Sequence, residues 1–342
     1  MLIIIHKNYY NKKLDFFFNY LYDCFMEKLV YQMFILGSGE FLFPSLNKGL
    51  GGVIFFTRDI KSKEQFKSYL QKIKSEALIS PFLSIDQEGG RVERTENLHK
   101  RFLSPRYAYQ KGESFLEAQT KKIAEELKDF GINLNFAPCA DVNTNPNNPI
   151  IGERAFSDNP EEVINGVNIV SKIYRSNNII SCIKHFPGHG DADKDSHLAL
   201  PVINLSLKDM EKIHILPFKE AIAHNIKMIM AAHLHCTCFD KNEIPASLSK
   251  NVLGYLRNQL NFKGVIISDD MVMKGVQKYD SLKAVLMGID AGLDMFIFRD
   301  ADKEVFEVIN KLVELANSDK NLMLKIVEAN KRISKLKEAY AI

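Results

Sequence analysis

Ile179-Ile180-Ser181-Cys182-Ile183 runs straight into Lys184-His185-Phe186-Pro187-Gly188-His189-Gly190-Asp191-Ala192-Asp193-Lys194-Asp195-Ser196-His197. The first five residues form a short apolar run of strand length. Pro187, Gly188 and Gly190 then break any regular element. Histidines 185, 189 and 197 and the alternating aspartates 191, 193 and 195 are therefore predicted on a loop after a buried strand. In alternating α/β folds, the C-terminal edge of the strands is where chemistry is placed.

Seven more apolar runs surround this one, at residues 30–36, 52–56, 82–85, 134–137, 228–232, 265–267 and 295–298. Segments with helical periodicity lie between most of them, at 61–76, 113–130, 161–176, 207–224, 248–259, 281–291 and 303–316. An amphipathic stretch at 322–339 closes the chain. Eight strands, each followed by a helix or long loop, predict a single-domain (β/α)8 TIM-type barrel. The runs are almost wholly apolar, as strands covered on both faces should be. An open doubly wound sheet competes with this reading. It lacks support, because neither G-x-G-x-x-G nor G-x-x-x-x-G-K-[ST] occurs.

The net charge of +3 is too small to argue for nucleic acid or an anionic membrane as partner. Five cysteines, an odd number without framework spacing, point to a reducing compartment, and a cytoplasmic protein is expected. Lys7, Lys12, Lys13 and Asp15 interrupt the apolar start, so no continuous span of about twenty apolar residues forms there. No clean cleavage site follows it either. Residues 1–25 are expected to be an extension, poorly ordered or not native, with Met26 as an alternative start. An interfacial anchor is the competing reading. Residues 26–342 are expected to form the barrel, as a monomer.

Polar clusters follow five of the predicted strands. Strand three leads into Asp86-Gln87-Glu88-Gly89-Gly90-Arg91-Val92-Glu93-Arg94, and strand four into Asp141-Val142-Asn143 and then Gly152-Glu153-Arg154. Strand five leads into the opening stretch, strand six ends at His233-Leu234-His235, and strand seven ends at Ser268-Asp269-Asp270. Five such clusters at one pole predict an active site there. Side chains alternate along an extended chain, so Asp269 and Asp270 point to opposite sides. Asp269, on a rigid strand end, suits a nucleophile, and Asp270 a capping or supporting role. Asp195 pairing with one imidazole nitrogen of His197 leaves the other free to give and take a proton. Arg94, Arg154 and Lys184, with Asp86 as acceptor, suit a ligand rich in hydroxyls, as in a sugar site. Asp191-Ala-Asp193-Lys-Asp195 resembles the start of a calcium loop, but Ser196 and Val202 stand where glycine and glutamate are needed. No zinc spacing supports His185, His189, His233 or His235, so no metal and no cofactor is expected.

These motifs resemble glycoside hydrolase family 3, and within it the single-domain bacterial β-N-acetylglucosaminidases of peptidoglycan recycling. The resemblance rests on Ile85-Asp86-Gln87-Glu88-Gly89-Gly90-Arg91-Val92-x-Arg94, Gly152-Glu153-Arg154-Ala155-Phe156, and Lys184-His185-Phe186-Pro187-Gly188-His189-Gly190 with Asp195-Ser196-His197. Pro245-Ala246-Ser247-Leu248-Ser249 and Ser268-Asp269-Asp270-Met271-x-Met273-Lys274-Gly275 continue it, over about residues 37–298. It implies a retaining mechanism on terminal non-reducing N-acetylglucosamine, with Asp269 as nucleophile and His197, oriented by Asp195, as acid and base. Asp86, Arg94, Arg154, Lys184 and His185 would hold the N-acetylglucosamine ring. The implied partner is a small carbohydrate, an N-acetylglucosaminyl-anhydromuramyl peptide. Cys139 and the 233–238 stretch depart from the pattern. Phosphorolysis on the same scaffold is one alternative, since a neutral histidine repels phosphate less than a carboxylate does. A metal-dependent hydrolase using the His/Asp loop and a silent sugar-binding protein are the others.

Overall fold

The computed structural model describes residues 24–192 and 200–342. Eight parallel strands close into a barrel: β1 (Phe34–Leu36), β2 (Gly52–Phe55), β3 (Phe82–Ile85), β4 (Leu134–Asn135), β5 (Ile180–Phe186), β6 (Met228–Ala231), β7 (Val265–Asp270) and β8 (Met295–Phe298). Each pairs with its neighbours in sequence, and β8 closes on β1 with Phe34 opposite Phe296 and Ile35 opposite Ile297. Side chains facing inward fill the barrel and those facing outward meet helices, which is why the strands are apolar on both faces. Phe34 stacks on Phe296 with ring centroids 5.5 Å apart, joining the first and last strands.

The helices follow in order: α1 (Leu42–Leu46), α2 (Lys63–Glu76), α3 (Glu113–Phe130), α4 (Pro160–Ser176), α5 (Leu216–Ala223), α6 (Lys250–Gly254), α7 (Ser281–Ala291), α8 (Lys303–Ser318) and α9 (Lys320–Ala339). Helix α3 buries Leu116, Ile123, Leu127 and Phe130, a spacing that keeps one face on the barrel. Asn159, Asp280 and Asp302 cap α4, α7 and α8 by accepting from free backbone N–H groups of the first turn.

Three sequence readings shift. Residues 24–31 are helical, so β1 starts at Phe34 and not at residue 30. Met26 and Val30 lie one turn apart and are both buried, which suits a helix as well as a strand. The helices expected at 207–224 and 248–259 are each interrupted by one π-helical turn, Met210–His214 and Tyr255–Gln259. Strands β5 and β7 run further than expected, so Lys184, His185 and Asp269 sit on strands. Of the expected extension, residues 1–23 lie outside the described residues, and Cys24 and Phe25 continue the helix of residues 26–31.

Asp294 ties the base of the barrel together. It is fully buried just before β8 and accepts from the Ile266 N–H (2.8 Å), from Arg332 Nε of α9 (2.8 Å) and from Arg257. Removing this anion leaves the partly buried Arg257 and Arg332 guanidinia without their counter-charge. Asp294→Ala should therefore cost about 3–5 kcal/mol, read as a lower urea midpoint at unchanged slope. A loss below about 1 kcal/mol would show that the cations are satisfied without it.

Candidate active site

Every residue of the eight barrel strands is buried except one, and that one is Asp269. It lies next to last on β7, at the C-terminal end, and lines an open cavity of about 170 Å³. Ends of β2, β3, β5, β6, β7 and β8 contribute Ile54, Asp86, Lys184, His185, Met230, Asp269 and Arg299 to its walls. Arg94 and Arg154 enter from the loops after β3 and β4. Thus all six described residues expected in the site, Asp86, Arg94, Arg154, Lys184, His185 and Asp269, line one cavity. Asp195 and His197 lie outside the described residues.

A chain of opposite charges builds the floor. Lys184 Nζ donates to Asp86 Oδ1 at 2.6 Å and contacts Glu88 Oε1 at 2.7 Å. Arg154 grips Glu88 with two bonds, Nε to Oε2 at 2.9 Å and Nη2 to Oε1 at 2.8 Å. Arg94 Nη2 lies 3.7 Å from Asp86 Oδ2. Burial by itself would push the Glu88 carboxyl up, but Arg154 and Lys184 hold it well below the usual range. Asp86 and Glu88 share a side because they are two apart on an extended segment.

A second buried carboxylate aims the histidine. Asp141 Oδ2 accepts from His185 Nδ1 at 2.7 Å and Oδ1 accepts from the His189 N–H at 2.6 Å. That fixes the proton on Nδ1, so Nε2 accepts from Arg154 Nη2 at 3.4 Å. The Lys184–His185 peptide is cis. Glu88 and Asp141 were visible in the sequence only as members of polar clusters. Their organising role follows from partners 66 and 44 residues away.

The loop carrying Arg94 is fixed by Gln87, whose Oε1 accepts from the Arg94 N–H at 2.8 Å. Gly89 and Gly90 adopt φ of 99° and 63°, and a Cβ on Gly89 would lie 2.4 Å from the Leu103 carbonyl oxygen. No side chain fits there. The Phe56 ring carries Arg58 at 5.2 Å and Arg94 at 5.5 Å from its centroid.

Asp269 and Asp270 separate as expected. Asp270 binds Arg299 and accepts from the Val272 N–H at 3.2 Å, a supporting role. Asp269 Oδ1 accepts only from the Asp270 N–H, at 2.8 Å, among the described residues. Desolvation raises its carboxyl, but the neighbouring His185 and His233 rings, that N–H and the Lys184 ammonium outweigh it, so it lies below the ordinary aspartate value. His233 Nε2 donates to the Asp270 carbonyl at 3.2 Å while Nδ1 accepts from Ser247 Oγ at 2.7 Å, which pins the end of β7. Residues flanking 193–199 are fastened too. Asn148 Nδ2 donates to the His189 carbonyl at 2.8 Å, and the His235 N–H to the Pro201 carbonyl at 2.8 Å. Another depression, lined by Lys172, Arg175, Ser181, His224 and Lys227, gathers no carboxylate and so lacks a nucleophile–acid pair.

Fold and site together define a (β/α)8 barrel with one partly exposed strand carboxylate above a floor of paired charges. Residues 45–336 match the family described as Glycosyl hydrolase family 3 N terminal domain, and the chain belongs to that family. It is 32% identical over 318 residues to beta-hexosaminidase A of Pseudoalteromonas piscicida, covering 84% of this chain and 53% of that protein. The chain thus spans about half the length of that relative. A beta-hexosaminidase of Methylococcus capsulatus is 33% identical over 271 residues, covering 77% of this chain and 79% of its own. Among solved structures, a family 3 beta-N-acetylglucosaminidase from Paenibacillus superposes with TM-score 0.85 at 27% identity, over 92% of this chain and 62% of that one. A beta-N-acetylhexosaminidase from Beutenbergia cavernae, at 24% identity, shows the same fold with TM-score 0.85 over 93% of this chain and 98% of its own.

Glu88→Gln removes the anion shared by Arg154 and Lys184 and should cost about 3–5 kcal/mol at neutral pH. The folded Glu88 carboxyl is depressed, so its contribution is full above the unfolded value and fades as pH falls. The gap between wild type and variant, from urea melts, should narrow below about pH 4. A gap independent of pH would show that charge at Glu88 is not what matters.

Proposed function

We propose that the chain is a retaining exo-β-N-acetylglucosaminidase acting on terminal non-reducing N-acetylglucosamine. Its substrates are peptidoglycan-derived N-acetylglucosaminyl-anhydromuramyl peptides. The observation that carries this reading is the partly exposed, ionised Asp269 carboxylate on an otherwise buried barrel strand. Asp269 attacks the anomeric carbon and forms a glycosyl–aspartate. His197, oriented by Asp195, protonates the leaving oxygen, then takes a proton from the water that releases the sugar. This histidine stands where most retaining enzymes use a second carboxylate. Asp86 accepts from sugar hydroxyls, while Arg94, Arg154, Lys184 and His185 donate to or position the ring and its acetamido group. No cofactor or metal is needed for either step.

Residues 26–342 are the catalytic unit in this reading, and the compartment is the cytosol, which the free cysteines support. Among the described residues, no helix is long and apolar enough to cross a membrane.

Release of nitrophenol from 4-nitrophenyl N-acetyl-β-glucosaminide tests the reading, with and without phosphate and with chelator. Wild type should turn over without phosphate and despite chelator. His197→Ala should lose about 10²–10⁴-fold in kcat. Asp269→Ala should fall to background and be rescued by azide as the α-glycosyl azide. Strict dependence on phosphate would make the enzyme a phosphorylase, and full activity in Asp269→Ala would sink the mechanism. Because the folded Asp269 carboxyl lies below its ordinary value, the acid limb of kcat/KM should fall below about pH 3.9. An Asp269 limb at pH 5 or above would mean the carboxylate is not held ionised.

A further inference from the structure

Behind the cavity wall lies a cluster that the saccharide chemistry does not use. Cys139 and Asp141 are fully buried and His185 is nearly so. The Cys139 thiol donates to Asp141 Oδ2 at 3.1 Å, and His185 Nδ1 donates to the same oxygen at 2.7 Å. Two protons thus converge on one carboxylate oxygen. One ligand atom from each of the three residues lies within 4.8 Å of the other two.

Around a tetrahedral zinc ion, with bonds of about 2.0–2.3 Å, ligand atoms sit about 3.3–3.5 Å apart. Both contacts to Oδ2 need open by only about half an ångström or slightly more to admit such an ion. Oδ1 of Asp141 stays anchored by the His189 N–H at 2.6 Å. A second observation is independent of these three residues. His189 is 2% exposed, neither of its ring nitrogens has a hydrogen-bond partner among the described residues, and its ring centroid lies 5.9 Å from that of His185. Burial, helped by the nearby His185 ring, pulls its imidazole down to about 4, so a lone pair is free at neutral pH.

We propose that Cys139, Asp141 and His185 form a latent three-residue site for a soft divalent cation of the zinc class, and that its occupation shuts the saccharide site. The metal is an inhibitor here, not a participant in the reaction. A thiolate, an imidazole and a carboxylate favour zinc or cobalt over magnesium or calcium. As the metal–sulfur bond forms, the Cys139 thiol gives its proton to solvent. His185 keeps its proton but moves it from Nδ1, which now binds metal, to Nε2. That nitrogen faces Arg154 Nη2 at 3.4 Å, where it formerly accepted. Two donors then oppose each other, and the Arg154–His185 contact is lost. Burial first, and the Asp141 charge second, push the thiol well above its ordinary range, so metal competes with a proton and binds more tightly as pH rises.

The shut-off rests on the saccharide reading above, whereas the metal site does not. Metal-free protein is titrated with cobalt(II), reading the thiolate-to-cobalt charge-transfer band in the near ultraviolet. One equivalent should saturate the band, release one proton and be displaced by zinc. The band should vanish in Cys139→Ser and Cys139→Ala and survive in the double variant Cys236→Ser/Cys238→Ser. Two Cys139 variants are used because serine keeps a donor for Asp141 and alanine does not. Zinc should also lower turnover at least tenfold in wild type and leave Cys139→Ser near its own metal-free rate. Absence of the band in wild type, or its survival without Cys139, overturns the metal site. Equal zinc inhibition of wild type and Cys139→Ser overturns the shut-off. If the chain turns over no saccharide at all, the cobalt titration still decides the metal site.

Discussion

The pairing of Glu88 with Arg154 and Lys184 is the constraint on which the site depends. One buried carboxylate holds two cations from different strands and loops, and those cations hold Asp86 and His185 in turn. A buried ion pair is a poor source of net stability, because desolvation offsets most of its attraction. What it supplies is position. None of these side chains can swing away without leaving a charge unpaired in a dry place. This face of the cavity is therefore set before any ligand arrives, and the ordering cost of binding falls.

Asp141, in the loop after β4, has the same role for the end of β5. Its two oxygens take up the backbone N–H groups of His185 and His189 and the His185 ring. The first turn after β5 is thus wrapped around a carboxylate, which explains how a segment rich in glycine and proline has one defined path. Beneath this layer the barrel is mostly apolar, with a few ties such as Ser84 Oγ to the Val53 carbonyl, and at the opposite end stand the bonds of Asp294 and the Lys337 ammonium on Gln32 Oε1 and the Ser80 carbonyl. The candidate site and the structural fastening occupy different poles, as in other barrels of this type.

Much of this was legible in the sequence because it is local. Strand length and apolar runs mark β2, β3 and β8 nearly to the residue, and alternation along β7 separates Asp269 from Asp270. Where two periods fit equally well, the sequence is ambiguous. Met26, Val30 and Met33 serve a helix or a strand, and only packing on the barrel decides. The π-helical turns left no sequence sign, since one extra residue per turn hardly disturbs an amphipathic pattern. Glu88, Asp141 and Cys139 looked like bystanders because what they touch is mostly remote in sequence. The Asp195–His197 pair, legible from spacing, lies outside the described residues.

The alternation of charge around the cavity has a kinetic corollary. Among the described residues, Arg94, Arg154, Lys184 and Arg299 share the wall with Asp86, Asp269 and Asp270, and Glu88 and Asp141 stand behind it, so the two signs nearly cancel. Such a mouth projects little field into solvent. Ligands arrive by plain diffusion, unsteered, at a pace that ionic strength barely alters. Choice among them is made after encounter, by fit to fixed donors and acceptors, and not by attraction from afar.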